Sequence, residues 1–265
     1  MLIYVTYQFK TLEDRNHFYE DIKNNKIEEL SRKDHGCIDY TYSLEETCVH
    51  LREEWLSLED QQEHLKKPHM AVLRDLKARY DCKTFIHHGT VKLETERLSL
   101  RQFTLEDAPS MYKNWANDER VSHFLTWPAH SSVEITKSVL SSWISQYDQG
   151  DFYQWIIVLK DSGESIGNIS FTKVDQKTNT AEIGYCIGYN YWGHGYVAEA
   201  LKEVISYLFK EGYDLVRARH DLNNPRSGKV MKKAGMIYEG TLRKFSTYNQ
   251  GVVDTVFYSI APDDI

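Results

Sequence analysis

Glu182-Ile-Gly-Tyr-Cys-Ile-Gly188, then Tyr189-Asn-Tyr-Trp-Gly-His-Gly195, then Tyr196-Val-Ala-Glu-Ala-Leu201, is the stretch that decides how the second half of the chain folds. A run of strand composition enters a turn with two glycines, and the turn enters a segment of helical spacing. Gly193 and Gly195 permit positive φ and close approach of the backbone to a ligand. The head of the following helix leaves N–H groups without intrahelical partners, and its dipole places partial positive charge there. Together these features make an anion cradle that needs no cationic side chain. The turn is neither GxGxxG nor a Walker loop, because Gly195 is followed by Tyr196-Val197-Ala198 and no Gly-Lys-Ser/Thr occurs. Taken alone, it fits a packing turn as well as a phosphate site.

Downstream, Arg217-Ala-Arg-His-Asp-Leu-Asn-Asn-Pro-Arg-Ser227 ends a strand and enters a helix that closes at Lys232-Lys-Ala-Gly-Met236. Asn224 can donate and accept at once, and Ser227 lies about one helical turn on, so both could face one ligand. Either could instead cap the helix. Around these segments the spacing predicts strands at 98–103, 153–159, 165–173, 181–188, 216–220 and 253–260. It predicts helices at 104–116, 133–146, 195–211 and 227–234, an alternating α/β domain from residue 90 to residue 265.

Residues 1–89 read differently. Strands are expected at 2–8, 37–42, 48–54 and 83–88, with helices at 12–30, 58–65 and 70–80. That βαββαβ order is the order of a ferredoxin-like fold. The fold class is therefore α+β: an N-terminal ferredoxin-like α+β barrel domain followed by a mixed α/β domain. At 265 residues the chain has room for two such domains.

The 32 Lys and Arg against 39 Asp and Glu leave a net charge of −7, which argues against a nucleic-acid binder, since phosphate backbones need a positive surface. A hydrophobic fraction of 41% with 27% charged residues is that of an ordinary globular protein. The start of the chain lacks the basic lead and cleavage site of a signal peptide, and no apolar run approaches the ~20 residues that cross a bilayer. We expect a cytoplasmic protein without membrane or nucleic-acid partners. Cys37, Cys48, Cys82 and Cys186 form no CxxC pair and read as reduced thiols, and no metal site is read from the sequence. Histidine is uneven, with seven of eleven in the first 90 residues.

From about residue 93 to residue 261 the chain resembles the GNAT superfamily of acetyl-coenzyme A-dependent N-acetyltransferases, of the RimJ/RimL type. The resemblance rests on Thr95-Glu-Arg-Leu-Ser-Leu-Arg101, Asp107-Ala108, Ile166-Gly-Asn-Ile169, Glu182-Ile-Gly-Tyr185, Tyr191-Trp-Gly-His-Gly-Tyr196, Asn224-Pro-Arg-Ser227, Lys233-Ala-Gly-Met236, Glu239-Gly-Thr-Leu-Arg243 and Asp254, in order. It implies acetyl-CoA as cosubstrate and an amine as acceptor, either a small molecule or a protein N-terminus. It further implies that the backbone of Cys186, Ile187 and Gly188 pairs with the pantetheine arm. The amides of Trp192, Gly193, His194, Gly195, Tyr196 and Val197 would hold the pyrophosphate, Asn224 would bond the pantetheine, and Ser227 would lie near the thioester sulfur. Met231 stands where other members carry a leaving-group tyrosine, which points to Ser227 as proton donor. Asn190 replaces the usual Gln or Arg before the glycine turn.

Glu182, beside the expected thioester, ranks first as general base, directly or through water. His220 and Glu239 are further candidates, though each reads more readily as a packing or structural residue. The carboxylate that some members carry in the next strand is absent, Ser246 standing about there. Trp127, His123, Tyr153 and Trp155 are possible acceptor walls or core.

Residues 1–88 resemble the antibiotic biosynthesis monooxygenase (ABM) family through Gly36-Cys37-Ile-Asp-Tyr40, Glu53-Glu-Trp55, Gln62-Glu-His-Leu65 and Pro68-His69. The resemblance implies a small α+β barrel that pairs with a second copy, hence a homodimer through this domain. His64, His69 and Trp55 could line a ligand cavity or simply pack. Haem is not expected, because Tyr7 or Gln8 stands where haem-degrading relatives carry Asn. Two alternatives accompany the transferase reading: a non-catalytic acetyl-CoA-binding sensor, or a second, cofactor-independent monooxygenase activity in the N-terminal domain.

Overall fold

The structure, a computed structural model, describes residues 2–147, 152–175 and 178–265. The chain divides into two compact units, one running to Gly89 and one beginning at Thr90. The first contains β1 (Leu2–Gln8), α1 (Leu12–Asn24), α2 (Ile27–Ser31), β2 (Cys37–Glu45), β3 (Cys48–Trp55), α3 (Leu58–His64), α4 (Pro68–Arg79) and β4 (Lys83–His87). Its four strands pair in the order β2-β3-β1-β4, every neighbour antiparallel. Alternation along β1 buries Ile3, Val5 and Tyr7 against Phe18 and Ile22 of α1 and Leu73 and Leu76 of α4. The single helix expected over 12–30 is interrupted, because Lys26 takes a left-handed conformation at φ 53° and the chain restarts as α2. Thr11 and Ser57 cap α1 and α3, each accepting from the backbone N–H three residues on.

The second unit contains β5 (Leu93–Glu94), β6 (Leu98–Arg101), α5 (Ala108–Met111), α6 (Glu119–Ser122), α7 (Val133–Ile144), β7 (Gln154–Leu159), β8 (Ser165–Asp175) and β9 (Thr180–Ile187). It continues with α8 (Tyr196–Lys210), β10 (Leu215–Asp221), α9 (Pro225–Lys233), β11 (Ile237–Tyr248) and β12 (Gly251–Ile260). Eight strands form one sheet in the order β11-β12-β10-β9-β8-β7-β6-β5. Helices α8 and α9 cover one face over Ile183, Leu201, Val204, Val216 and Met231. On the other, α5 and α7 close over Ile156, Val158 and Cys186.

Three expectations change. The junction contains the short strand β5. The helix expected over 104–116 is a series: a 3₁₀ turn at Leu105–Asp107, α5, then a π turn at Tyr112–Ala116. Its start is pinned by Arg101, whose guanidinium forks onto both Asp107 carboxylate oxygens at 2.8 and 2.7 Å. Strand β11 went unread because most of its residues are exposed and two register shifts interrupt its pairing with β12.

One feature of the sheet positions the candidate site. Strands β9 and β10 run parallel and pair from Leu215–Thr180 to Ala218–Ile183. There the pairing stops, although β9 continues to Ile187 and β10 to Asp221. The two strands part in the middle of the sheet.

Candidate active site

The parting leaves β9 with backbone groups aimed at no strand. In an antiparallel ladder, successive residues alternate between facing their partner and facing away. Gly188 donates its N–H to Ile166 O at 2.8 Å, and β8 pairs Cys186 with Asn168 and Ile187 with Gly167. The backbone of Gly188 and Cys186 therefore faces β8, and that of Tyr185 and Ile187 faces the gap. Of the three consecutive residues expected to pair with a ligand, Ile187 thus faces the opening, whereas Cys186 and Gly188 face β8. The Ile187 carbonyl accepts from Trp192 Nε1 at 2.9 Å, which ties the glycine turn to the strand end. The Cys186 thiol is buried, donates to Asn168 Oδ1 at 2.8 Å, and is pushed up to about 12 by burial. It is an inert core group.

The turn has the conformation its glycines allow, with φ 86° at Gly193 and 83° at Gly195. Gly195 stands at the head of α8 without a side-chain cap, so the first-turn amides remain open. The Trp192 amide is engaged in a tight turn with Tyr189 O at 3.2 Å, which leaves the stretch from Gly193 to Val197 as the candidate cradle. The His194 ring stacks on Tyr196, and the Trp192 ring lies 5.1 Å from the Arg226 guanidinium.

Arg97 is the residue that sequence reasoning missed here. Its Nη1 donates to His194 O at 3.1 Å, its Nε to Glu199 Oε2 at 2.7 Å, and its guanidinium lies 4.5 Å from the Tyr196 ring centroid. Thr95 Oγ1 donates to the other Glu199 oxygen at 2.6 Å. The Thr95-Glu-Arg97 segment thus braces both the turn and the first turn of α8. Arg97→Ala is expected to weaken coenzyme A binding about tenfold by calorimetry, the scale of losing a charged hydrogen bond. Arg97→Lys should recover little of it, since an ammonium lacks the rigid planar fork that spans carbonyl and carboxylate here. Unchanged affinity in the alanine variant would remove Arg97 from this role.

Across the gap, α9 presents Asn224 and Ser227. Asn224 occupies the N-cap position but makes no side-chain capping bond, so its carboxamide is not committed to the helix. The Ser227 hydroxyl lies 2.8 Å from Tyr185 Oη, and Tyr185 donates to the Ser227 carbonyl at 3.1 Å. Burial pushes the Tyr185 phenol well up, so it stays protonated. This pair links β9 to α9 beyond the point where β9 and β10 part.

Glu182 lies elsewhere. Side chains alternate along a strand, so Glu182 and Tyr185 project from opposite faces of β9. Glu182 is almost buried, and its Oε1 pairs with Arg219 Nε at 2.9 Å. Arg219 also donates to Ser246 Oγ at 3.1 Å, so Ser246 shares the partner of the Glu182 carboxylate. Tyr248, its phenol pushed up by burial, is in the same cluster. The structure thus separates the two proposed catalytic residues onto two faces of one strand. His220 is buried, with Nδ1 2.7 Å from Asp221 O and its ring stacked on Tyr258, which is a packing role. Glu239 accepts from Ser259. Tyr153 and Trp155 are wholly inside the core and wall no acceptor site. Trp127 is half-buried in a loop stapled by Asn249, which donates to Ser122 O at 2.8 Å and Trp127 O at 2.7 Å; the signal for Asn249, a residue at a hairpin tip, was not read.

Parted parallel strands, a glycine turn at a helix head and a second helix across the gap define a coenzyme-binding α/β enzyme. Residues 97–237 match the family described as Acetyltransferase (GNAT) domain, more than half of the chain, and the protein belongs to that family. It is 34% identical over 169 residues to the uncharacterized N-acetyltransferase YoaA of Bacillus subtilis, spanning 63% of this chain and 95% of that one. It is 30% identical over 139 residues to the ribosomal-protein-serine acetyltransferase of Escherichia coli, spanning 51% of this chain and 75% of that one. The fold is similar to that of the microcin C7 self-immunity acetyltransferase MccE in complex with acetyl-CoA and AMP, with a TM-score of 0.58 at 22% identity, over 63% of this chain and 93% of that one. The protein is an acetyl-CoA-dependent N-acetyltransferase. Among the described residues no helix is long and apolar enough to cross a membrane.

Proposed function

We propose that the protein transfers acetyl from acetyl-CoA to a primary amine by direct attack in a ternary complex, with the thioester in the gap between β9 and β10. The observation that carries this reading is the end of pairing at Ile183–Ala218, with Ser227 and Tyr185 hydrogen-bonded just beyond it. Backbone groups of Tyr185 and Ile187 pair with the pantetheine, Asn224 bonds its amide, and the amides of Gly193 to Val197 take the diphosphate. The Ile187 N–H faces the thioester carbonyl and stabilises its oxyanion, a contribution of about 3 kcal/mol. Holding amine and thioester together supplies more, since effective molarities reach ~10⁵ M.

The amine, with a pKa near ~10.4 for a lysine-like group, must lose a proton before it attacks. Glu182 takes it through water from the face opposite Ser227. Ser227 then turns its hydroxyl from Tyr185 to the departing thiolate, gives it a proton, and regains the one that the attacking nitrogen sheds as the amide forms. Acid and base thus act on opposite faces of the strand, which suits an amine arriving from one side and a thiol leaving on the other.

An acceptor screen on wild type and Ser227→Ala tests this reading. Protein α-amino groups come first, in line with the ribosomal-protein relative, followed by aminoglycosides, amino acids and polyamines. The variant should lose kcat about tenfold to a hundredfold, below the usual span of general acid catalysis because water can substitute in part, with coenzyme KM retained. Unchanged turnover removes Ser227 from its role.

Residues 1–89 form a separate domain on this reading, an ABM-like ferredoxin-like α+β barrel that dimerises a cytoplasmic enzyme or binds a ligand. The strand order β2-β3-β1-β4 supports it. So does the row of Tyr4, Thr6, His50 and Phe85, which by register lies on the sheet face opposite Val5 and Tyr7.

A further inference from the structure

Asp34, His64 and His69 converge within the N-terminal unit. Asp34 lies in the turn between α2 and β2, His64 ends α3, and His69 follows Pro68 at the start of α4. His64 Nδ1 is 2.7 Å from Asp34 Oδ2, and His69 Nε2 is 3.1 Å from the same oxygen. All three atoms lie within 4.8 Å of one another. The His64 side chain is 0% exposed, that of His69 9% and that of Asp34 14%, so the cluster is closed off on the histidine side.

Two further observations distinguish this cluster from an ordinary hydrogen-bonded trio. His69 Nε2 is buried and makes no hydrogen bond, although a carboxylate oxygen lies within reach. A buried ring nitrogen that makes no hydrogen bond, with a carboxylate oxygen beside it, is free to give its lone pair to a Lewis acid. The His64 ring is also fixed in place: Trp55 lies 4.6 Å from it and Tyr40 5.3 Å, and the Trp55 indole is anchored on buried Glu53 at 2.9 Å.

We propose that Asp34 Oδ2, His64 Nδ1 and His69 Nε2 bind one divalent transition-metal ion of the zinc class, leaving a coordination position for water on the Asp34 side. Two imidazoles and one carboxylate are the donor set that suits Zn²⁺ and its neighbours rather than Mg²⁺ or Ca²⁺. Two bonds of about 2.1 Å span at most ~4.2 Å, so closing on the ion asks the side chains for about half an ångström of movement. The ligands escape a sequence motif because the carboxylate precedes the first histidine by thirty residues and the histidines are five apart on two helices.

The test uses the full chain, stripped with chelator and titrated with Zn²⁺ alone by calorimetry, and with Co²⁺ as an optical probe. Wild type should bind one equivalent, and Co²⁺ should give the visible bands of a four- or five-coordinate nitrogen–oxygen site. His69→Gln and Asp34→Asn, which spare the buried His64, should each weaken binding at least tenfold. Coenzyme A affinity serves as the control that the rest of the protein is folded, and it should stay unchanged. Wild type without a one-equivalent site overturns the proposal. So does wild-type metal affinity in both variants, which would place the ion on other histidines.

Discussion

Gly188→Val should abolish measurable coenzyme A binding and lower Tm by several degrees. A Cβ at this position would lie 2.4 Å from the Asn114 carbonyl oxygen and 3.0 Å from the Tyr191 ring. Asn114 cannot recede easily, because its carboxamide donates to Ser165 O at 2.8 Å. Gly188 cannot swing away without breaking its own bond to Ile166 O. Relief requires the end of β9 to leave β8, and with it Ile187, which faces the gap, and Trp192, which hangs on the Ile187 carbonyl. Overpacking of this kind costs about 1–3 kcal/mol, and at a backbone oxygen the upper end applies. For a domain of this size each kcal/mol lowers Tm by about 2–4 °C. The same displacement moves both halves of the coenzyme site, so affinity should fall a hundredfold or more. A valine protein that binds coenzyme A like wild type would show that the end of β9 does not form the site.

The second large effect is expected from Gly193→Val combined with Gly195→Val. Space is not the obstacle: a Cβ at Gly193 meets nothing within 4 Å, and at Gly195 only Arg97 Nη2 at 3.7 Å. The obstacle is backbone conformation, since both residues sit at φ above 80°. Each L-residue there costs roughly 1–2 kcal/mol, more when β-branched, so the turn should open rather than bear both. Coenzyme affinity should then fall about thirtyfold to a hundredfold, at 1.4 kcal/mol for each factor of ten. Asn at the same two positions tolerates left-handed backbone and should restore most of the affinity. Equal, wild-type affinity in the valine and asparagine pairs would mean that the diphosphate does not rest on this turn.

Much of the second unit is legible in the sequence for a local reason. The change from strand composition before Gly188 to helical spacing after Tyr196, with two glycines between, is written in one stretch of chain, and β9, the turn and α8 follow from it. The head of α9 is legible in the same way from Asn224-Pro225. Strand β11 is not, because an exposed edge strand broken by two register shifts carries no alternation to read. In the first unit the break at Lys26 is hidden, since a left-handed lysine has no sequence signature of its own.

The site divides along the same line. The residue types that can cradle a diphosphate or protonate a thiolate were readable from Gly193, Gly195, Asn224 and Ser227, since their chemistry is intrinsic and their spacing local. Which partners they meet was not. Arg97 reaches Glu199 from 102 residues away, Tyr185 meets Ser227 from 42 away, and Asp34 meets His64 from 30 away. Sequence alone therefore determined the strand, the glycine bend and the helix heads, because hydrogen-bond geometry and backbone sterics act between near neighbours. Tertiary structure decided that β9 and β10 part after Ile183 and Ala218, that Glu182 and Ser227 fall on opposite faces, and that Cys186 turns inward. Those outcomes depend on sheet register, which is set by packing between distant segments.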